Sequence, residues 1–306
     1  MTTTSNRVVS PVVAVDPPQN RWMTATPLLF VLIWSTGFVV AKFGLPYAPP
    51  LTFLVLRFTG VLMLLVPIVL VLRAPWPHGK VRHIAVAGIL LQAGYLGGVW
   101  CAIKLGMPAG LSALIVGMQP VLTAAAAPLI GETVRGRQWI GLLFGLGGVA
   151  LVVANKVSVV GLSWQSIGLC LFALLAITVG TLYQKRYCAH FDLRTGTIIQ
   201  FAASMVVTLP FAIAFEQFSP ALETVQWTSS LIGALLGSIL ALSIGAIFLL
   251  FVLIRKSAAT RVASLMYLTP PTTAVMAWAM FGEAFSITGL VGMVLAVIGV
   301  AFVVRK

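Results

Sequence analysis

Long apolar stretches separated by short polar breaks run along the whole chain. They fall at about 27–43, 51–72, 84–103, 110–130, 138–154, 164–184, 196–215, 231–254, 262–281 and 287–304. A bilayer core about 30 Å thick takes roughly 20 apolar residues per helix. Each stretch has about that length, so the pattern predicts an all-α membrane protein of ten spans. The first 26 residues are polar and contain proline, with no compact apolar core ending in a small-residue cleavage site. They read as a disordered cytoplasmic tail, not as a removed leader.

Composition agrees with this reading. Of 306 residues, 60% are hydrophobic and 8% charged, and the mean hydropathy is +1.07. Soluble domains carry about a quarter charged residues, so this chain lacks the polar surface a water-facing fold needs. The net charge of +13, from 19 Lys and Arg against 6 Asp and Glu, changes the picture only once the cations are located. With the N-terminus inside, 15 of them lie in inside segments, Lys42, Lys104 and Lys156 lie outside, and Arg57 falls within the second span. Lys and Arg accumulate in cytoplasmic loops. The basic balance therefore sets orientation, with both termini inside, and nucleic acid is excluded as a partner. Cys101, Cys170 and Cys188 show no paired metal or redox spacing.

The chain repeats itself. A shift of 143 aligns Gly37 with Gly180, Lys42 with Lys185, Phe58 with Phe201 and Pro67 with Pro210. A shift of 151 aligns Gly94 with Gly245, Pro120 with Pro271, Gly131-Glu132 with Gly282-Glu283, and Gly141 with Gly292. Residues 27–154 form one five-span unit, 155–163 a linker, and 164–306 a second unit with a short cytoplasmic end. An odd number of spans per unit inverts the second relative to the first. Inverted repeats are the signature of alternating-access carriers, with the substrate held near the midplane between the halves.

Polar and aromatic residues predicted at that depth form the candidate site. They are Trp34, Gln92, Tyr95, Trp100, Gln119, Ser243 and Tyr267, with Lys42 nearer the outer surface. Gln92 and Tyr95, three apart, share a helix face. For the aromatic residues, packing against neighbours or lipid is the competing role. Lys42 either attracts an anionic group or extends to the interface. Pro120, Pro270 and Pro271 are candidate helix breaks and gating points, because corresponding interruptions in both halves point to a carrier's binding site; a packing kink is the alternative. Arg57 costs roughly 2.5–3.5 kcal/mol at mid-helix, so it faces a polar interior or extends outward. The Gly145–Ala150 segment imitates a dinucleotide-binding pattern but lies inside an apolar span with no preceding strand.

All six acids and all three histidines fall in loops or at predicted span ends. No metal set, cofactor site or catalytic base is expected at mid-bilayer, and a nearly chargeless cavity suits neutral, zwitterionic or hydrophobic cargo. A membrane-embedded enzyme would need a positioned nucleophile, base or metal. An exchanger of phosphorylated or nucleotide-linked metabolites would need clustered cavity cations. Single-channel conductance would distinguish a pore.

Particular motifs add a family. Trp34-Ser35-Thr36-Gly37-Phe38 with Lys42, and then Leu56-Arg57-Phe58, resembles the opening of the ten-helix EamA-type members of the drug/metabolite transporter superfamily. So does the run from Ala109-Gly110-Leu111-Ser112 through Gln119-Pro120 to Gly131-Glu132, Gln138-Trp139 and Gly141. The resemblance covers about 27–304. It implies two inverted five-helix repeats around a central cavity in a bacterial inner membrane. The chain looks most like the exporters of aromatic and other neutral amino acids. The expected partners are a small neutral or zwitterionic substrate and the lipid bilayer, and the protein is expected to act as a monomer. The four-helix multidrug relatives use a first-span glutamate that is missing here, which argues against proton-driven export of lipophilic cations.

Overall fold

The computed structural model describes residues 21–107, 112, 115–154, 163–188, 191–256, 262, 264–281 and 287–304. The expected tail up to residue 20 and most of the expected linker lie outside these residues. So do the side chains of Lys42 and Pro270.

The helices are α1 (Arg21–Gly44), α2 (Pro50–Val71), α3 (Val81–Lys104), α4 (Gln119–Ala126), α5 (Gly136–Ala154), α6 (Trp164–Tyr187), α7 (Leu193–Glu216), α8 (Ser229–Arg255), α9 (Thr269–Phe281) and α10 (Ile287–Val304). No strand occurs among the described residues. Five helices, α2, α3, α6, α7 and α8, are long and apolar enough to cross a membrane. The stretches expected at 110–130 and 262–281 are not single rods. Residues 117–118 form a turn before α4, which ends in a 3-10 turn over Ala127–Ile130, and a 3-10 turn over Leu265–Leu268 precedes α9.

Helix starts are capped from the local sequence in three cases. The Ser163, Asp192 and Thr228 side chains accept backbone N–H groups of α6, α7 and α8 at 3.1, 2.9 and 3.2 Å. Such a cap satisfies one of the free donors of a first turn. Helix α2 has Pro49 there and no side-chain cap of its own. Glu216, at the end of α7, takes over instead: it accepts from the Leu51 and Thr52 N–H groups at 2.9 and 2.7 Å and from the Thr52 hydroxyl at 2.9 Å. A carboxylate is well placed at a helix N-terminus, and this one ties the second half of the chain to the first.

Between apolar helices in lipid there is little hydrophobic drive, so close approach depends on small residues. Helices α5 and α10 meet this way. A β-carbon on Gly141 would lie 2.6 Å from the Gly299 carbonyl, and one on Gly148 would lie 2.5 Å from the Gly292 carbonyl. Gly141 and Gly292 are repeat mates, as are Gly148 and Gly299, so the two helices cross antiparallel. The same reciprocity holds elsewhere. Gly37 faces Leu242, and their repeat mates Gly180 and Leu91 face each other. Phe58 meets its own mate Phe201 edge to face, with ring centroids 5.4 Å apart.

Candidate functional site

Two helices are locally rewound. Within α3, residues Ile89–Gly94 are π-helical, and within α8, Ser238–Ala246 are. Under the 151-residue shift these segments overlap, so the distortion occurs at corresponding places in both halves. π segments are rare and concentrate at functional sites. Each carries one of the predicted polar residues, Gln92 in α3 and its repeat mate Ser243 in α8.

A small inner cavity lies against both segments. Trp34, Gln92, Tyr95 and Trp100, predicted separately, line it together with Gly37, Arg57 and Leu242. The aromatic walls are ordered by one another. Trp34 and Tyr95 stack with centroids 6.3 Å apart and planes within 6°, while Trp100 leans on Phe53 at 5.0 Å. Trp34 also packs against all three of the large apolar clusters, which places it where they meet.

The polar groups are sharply different from one another. Arg57 is 3% exposed, and its Nε donates to the Ser243 hydroxyl at 2.6 Å. Ser243 in turn donates to the Ser238 carbonyl at 2.9 Å, five residues back along the π segment. The expectation of a nearly chargeless cavity is thereby corrected: Arg57 is a wall of it. The mid-helix cation was visible in sequence, but its helix face was not. Gln92 is 2% exposed and its Oε1 has no hydrogen-bond partner. Buried polar atoms in that state call for a water or a ligand.

The remaining candidates lie elsewhere. Ser243 reaches the cavity through Arg57. Gln119 is buried at the start of α4, where its Nε2 donates to Thr181 at 3.4 Å. Tyr267 is fully buried in a separate cluster with Phe30 and Leu142, its ring filling the space a side chain at Gly145 would need. Pro120 and Pro271 sit in the first turns of α4 and α9, directly after a turn and a 3-10 segment. There a missing N–H costs nothing. The paired interruptions thus precede the prolines, while the paired interruptions at the cavity are the π segments. Lys42 lies on the described backbone of α1 only.

A second, outward groove, much roomier than the inner cavity, lies among α2, α3, α6 and α7. Its walls are almost wholly apolar, and its carboxylate, Glu216, is occupied as the α2 cap. Convergent polar groups mark the inner cavity as the better candidate. No group of three or more His, Cys, Asp or Glu suited to a metal occurs among the described residues.

Comparison with known proteins agrees in class. A model of the EamA-like transporter family matches residues 22–154 and again 164–305. The uncharacterized transporter YvbV of Bacillus subtilis is 29% identical over 94% of this chain and 93% of its own length. A probable amino-acid metabolite efflux pump of Salmonella typhimurium is 26% identical over 89% and 91%. The uncharacterized inner membrane transporter YedA of Escherichia coli K12 is 27% identical over 83% and 81%. A crystal structure of a protein 21% identical superposes with a TM-score of 0.74, covering 92% of this chain and 96% of its own, and shares the fold.

Proposed function

The chain belongs to the EamA-like transporter family, and on that premise we propose that it exports neutral and aromatic amino acids, or similar small metabolites, by alternating access. It is a multi-pass protein of the inner membrane. The reading takes it as a monomeric carrier and not an enzyme, with ten spans in two inverted five-helix units and both termini in the cytoplasm. The first unit runs over 27–154 and the second over 164–306, joined by the linker 155–163.

One observation carries the substrate class: a cavity walled by Trp34, Tyr95 and Trp100 that also holds a buried cation and a free amide oxygen. Aromatic walls suit an apolar side chain, and the two polar groups suit a charged backbone. A relative described as a probable amino-acid metabolite efflux pump supports the direction. Exchange of phosphorylated metabolites is less well supported, because Arg57 is the one cation among the cavity's described walls. The test is release of labelled phenylalanine, leucine and a panel of other amino acids from proteoliposomes. Flux above protein-free vesicles is expected, and no flux across the panel would reject the proposal.

A further inference from the structure

Arg57 poses an electrostatic problem that no described residue resolves. An arginine presents five N–H donors, and the recorded hydrogen bond uses Nε alone. The acceptor is a neutral serine hydroxyl. Among the described residues no carboxylate pairs with the guanidinium, although the side chain is buried at a cavity wall. An isolated buried charge is expensive unless it is paired. Ser243 fixes the fork without neutralising it, and Ser243 is itself held by the Ser238 carbonyl. The terminal guanidinium nitrogens are the donors left to meet an anion.

Gln92 is complementary. Its Oε1 is an acceptor without a partner, buried on the wall of the same cavity. A guanidinium and an unfilled amide oxygen, set among Trp34, Tyr95 and Trp100, match the two ends of an α-amino acid. A phosphoryl group carries more negative charge than this single cation answers, so a carboxylate is the better fit.

Resting on the amino-acid reading above, we infer that Arg57 is the carboxylate-binding residue of the transport site, and that Gln92 Oε1 receives the substrate's ammonium group. Ser243 is a positioning residue: it comes from the second half of the chain and aims a cation carried by the first. The cation neutralised by substrate is therefore also a direct polar link between the halves that must move. Arg57 then selects for acids over the corresponding amines.

Three probes with one ring system separate the contributions: L-phenylalanine, phenethylamine without the carboxylate, and 3-phenylpropionate without the ammonium. Thermal stabilisation of the detergent-purified full chain and competition against labelled phenylalanine in proteoliposomes are the readouts. In wild type, phenethylamine should be weaker than phenylalanine by about tenfold or more, the loss expected for one charge-assisted hydrogen bond. Arg57→Gln should lose phenylalanine and 3-phenylpropionate and level the acid–amine difference. Gln92→Leu should weaken phenylalanine while leaving 3-phenylpropionate unchanged. Ser243→Ala should lower affinity for both acids with the order of the probes preserved.

Equal binding of phenylalanine and phenethylamine to wild type overturns the inference, as does an acid preference that survives in Arg57→Gln. Wild-type data alone decide it if that variant fails to fold. Should no amino acid be transported while 3-phenylpropionate stabilises wild type and not Arg57→Gln, the carboxylate site stands and the amino-acid reading falls.

Discussion

The π segments of α3 and α8 occupy corresponding places in the two halves and serve the cavity in different ways. In α3 the segment presents Gln92 with its amide oxygen unfilled. In α8 the corresponding Ser243 is fully engaged, accepting from Arg57 and donating to Ser238. The repeat mate of Arg57 is Gln200, which pairs with Gln184 at 3.2 Å. One backbone distortion, repeated in both halves, thus supports an open acceptor on one side and an aimed cation on the other. A symmetric pair of polar groups would offer both ends of a substrate the same chemistry. On the proposed reading, the asymmetry would let a two-fold scaffold distinguish an acid from an amine.

The packing around the two segments differs too, and this supplies the most damaging test. Gly88 enters the α3 segment against α7, where a β-carbon would lie 2.5 Å from the Gln200 Cα. Its mate is Ile239, whose side chain occupies the space beside Gly60. Gly88→Leu should abolish the folded protein, read as loss of the monodisperse peak in size-exclusion chromatography. Backbone cannot yield as a side chain does, and overpacking typically costs about 1–3 kcal/mol or more. Gly60→Ala should be milder, because it meets the flexible end of Ile239, and Ile239→Val should restore it. Equal damage at Gly88 and Gly60 would remove the contrast.

Next in size is the split between the two polar mates. Gln92→Leu should reduce phenylalanine transport by about tenfold, the worth of a hydrogen bond to a charged group, with Tm unchanged because no protein partner is lost. Ser243→Ala should lower both, since the Arg57 and Ser238 bonds go together. A fall in Tm for Gln92→Leu would mean that its oxygen is used within the protein.

A smaller effect is expected from the glycines facing each segment. Gly180→Ala pushes a β-carbon to 2.9 Å from Leu91, whereas Gly37→Ala leaves 3.7 Å to Leu242. A thermal scan should show a drop of a few degrees for the first and none for the second. Reversal of that order would show that the α3 segment yields more easily than the α8 one.

The smallest is acid sensitivity of α7, the helix behind the α3 segment. Asp192 caps α7, and hydrogen bonds chiefly from the Arg194 side chain hold its carboxyl below its ordinary value of 3.8. Its contribution is present above that value and is lost as pH falls through the depressed one. Asp192→Asn keeps a cap acceptor and removes the titration, so its Tm should be flatter than that of wild type below pH about 4. Parallel curves would show that Asp192 adds nothing there.

Much of this architecture was legible along the chain. Offsets of 143 and 151 pair Gly37 with Gly180 and Gly141 with Gly292, and the structure uses those glycines as reciprocal contacts. Trp34, Gln92, Tyr95 and Trp100 could be selected because polar and aromatic residues at mid-span need a reason to be there. Tyr267 satisfied the same criterion and lies in another cluster, since depth along a helix does not specify which neighbour a face meets. Glu216 read as a loop acid and serves as the cap of a helix some 165 positions away.

Hydropathy and residue spacing, then, determined by themselves the membrane setting and the two-fold repeat, because each follows from local composition and period. Tertiary structure decided that Arg57 turns inward rather than toward the interface and that Ser243 aims it. It also decided that π segments in both halves lie at the cavity. Those outcomes depend on which helix faces meet across the halves, and a hydrogen bond spanning 186 positions leaves no signature in local sequence.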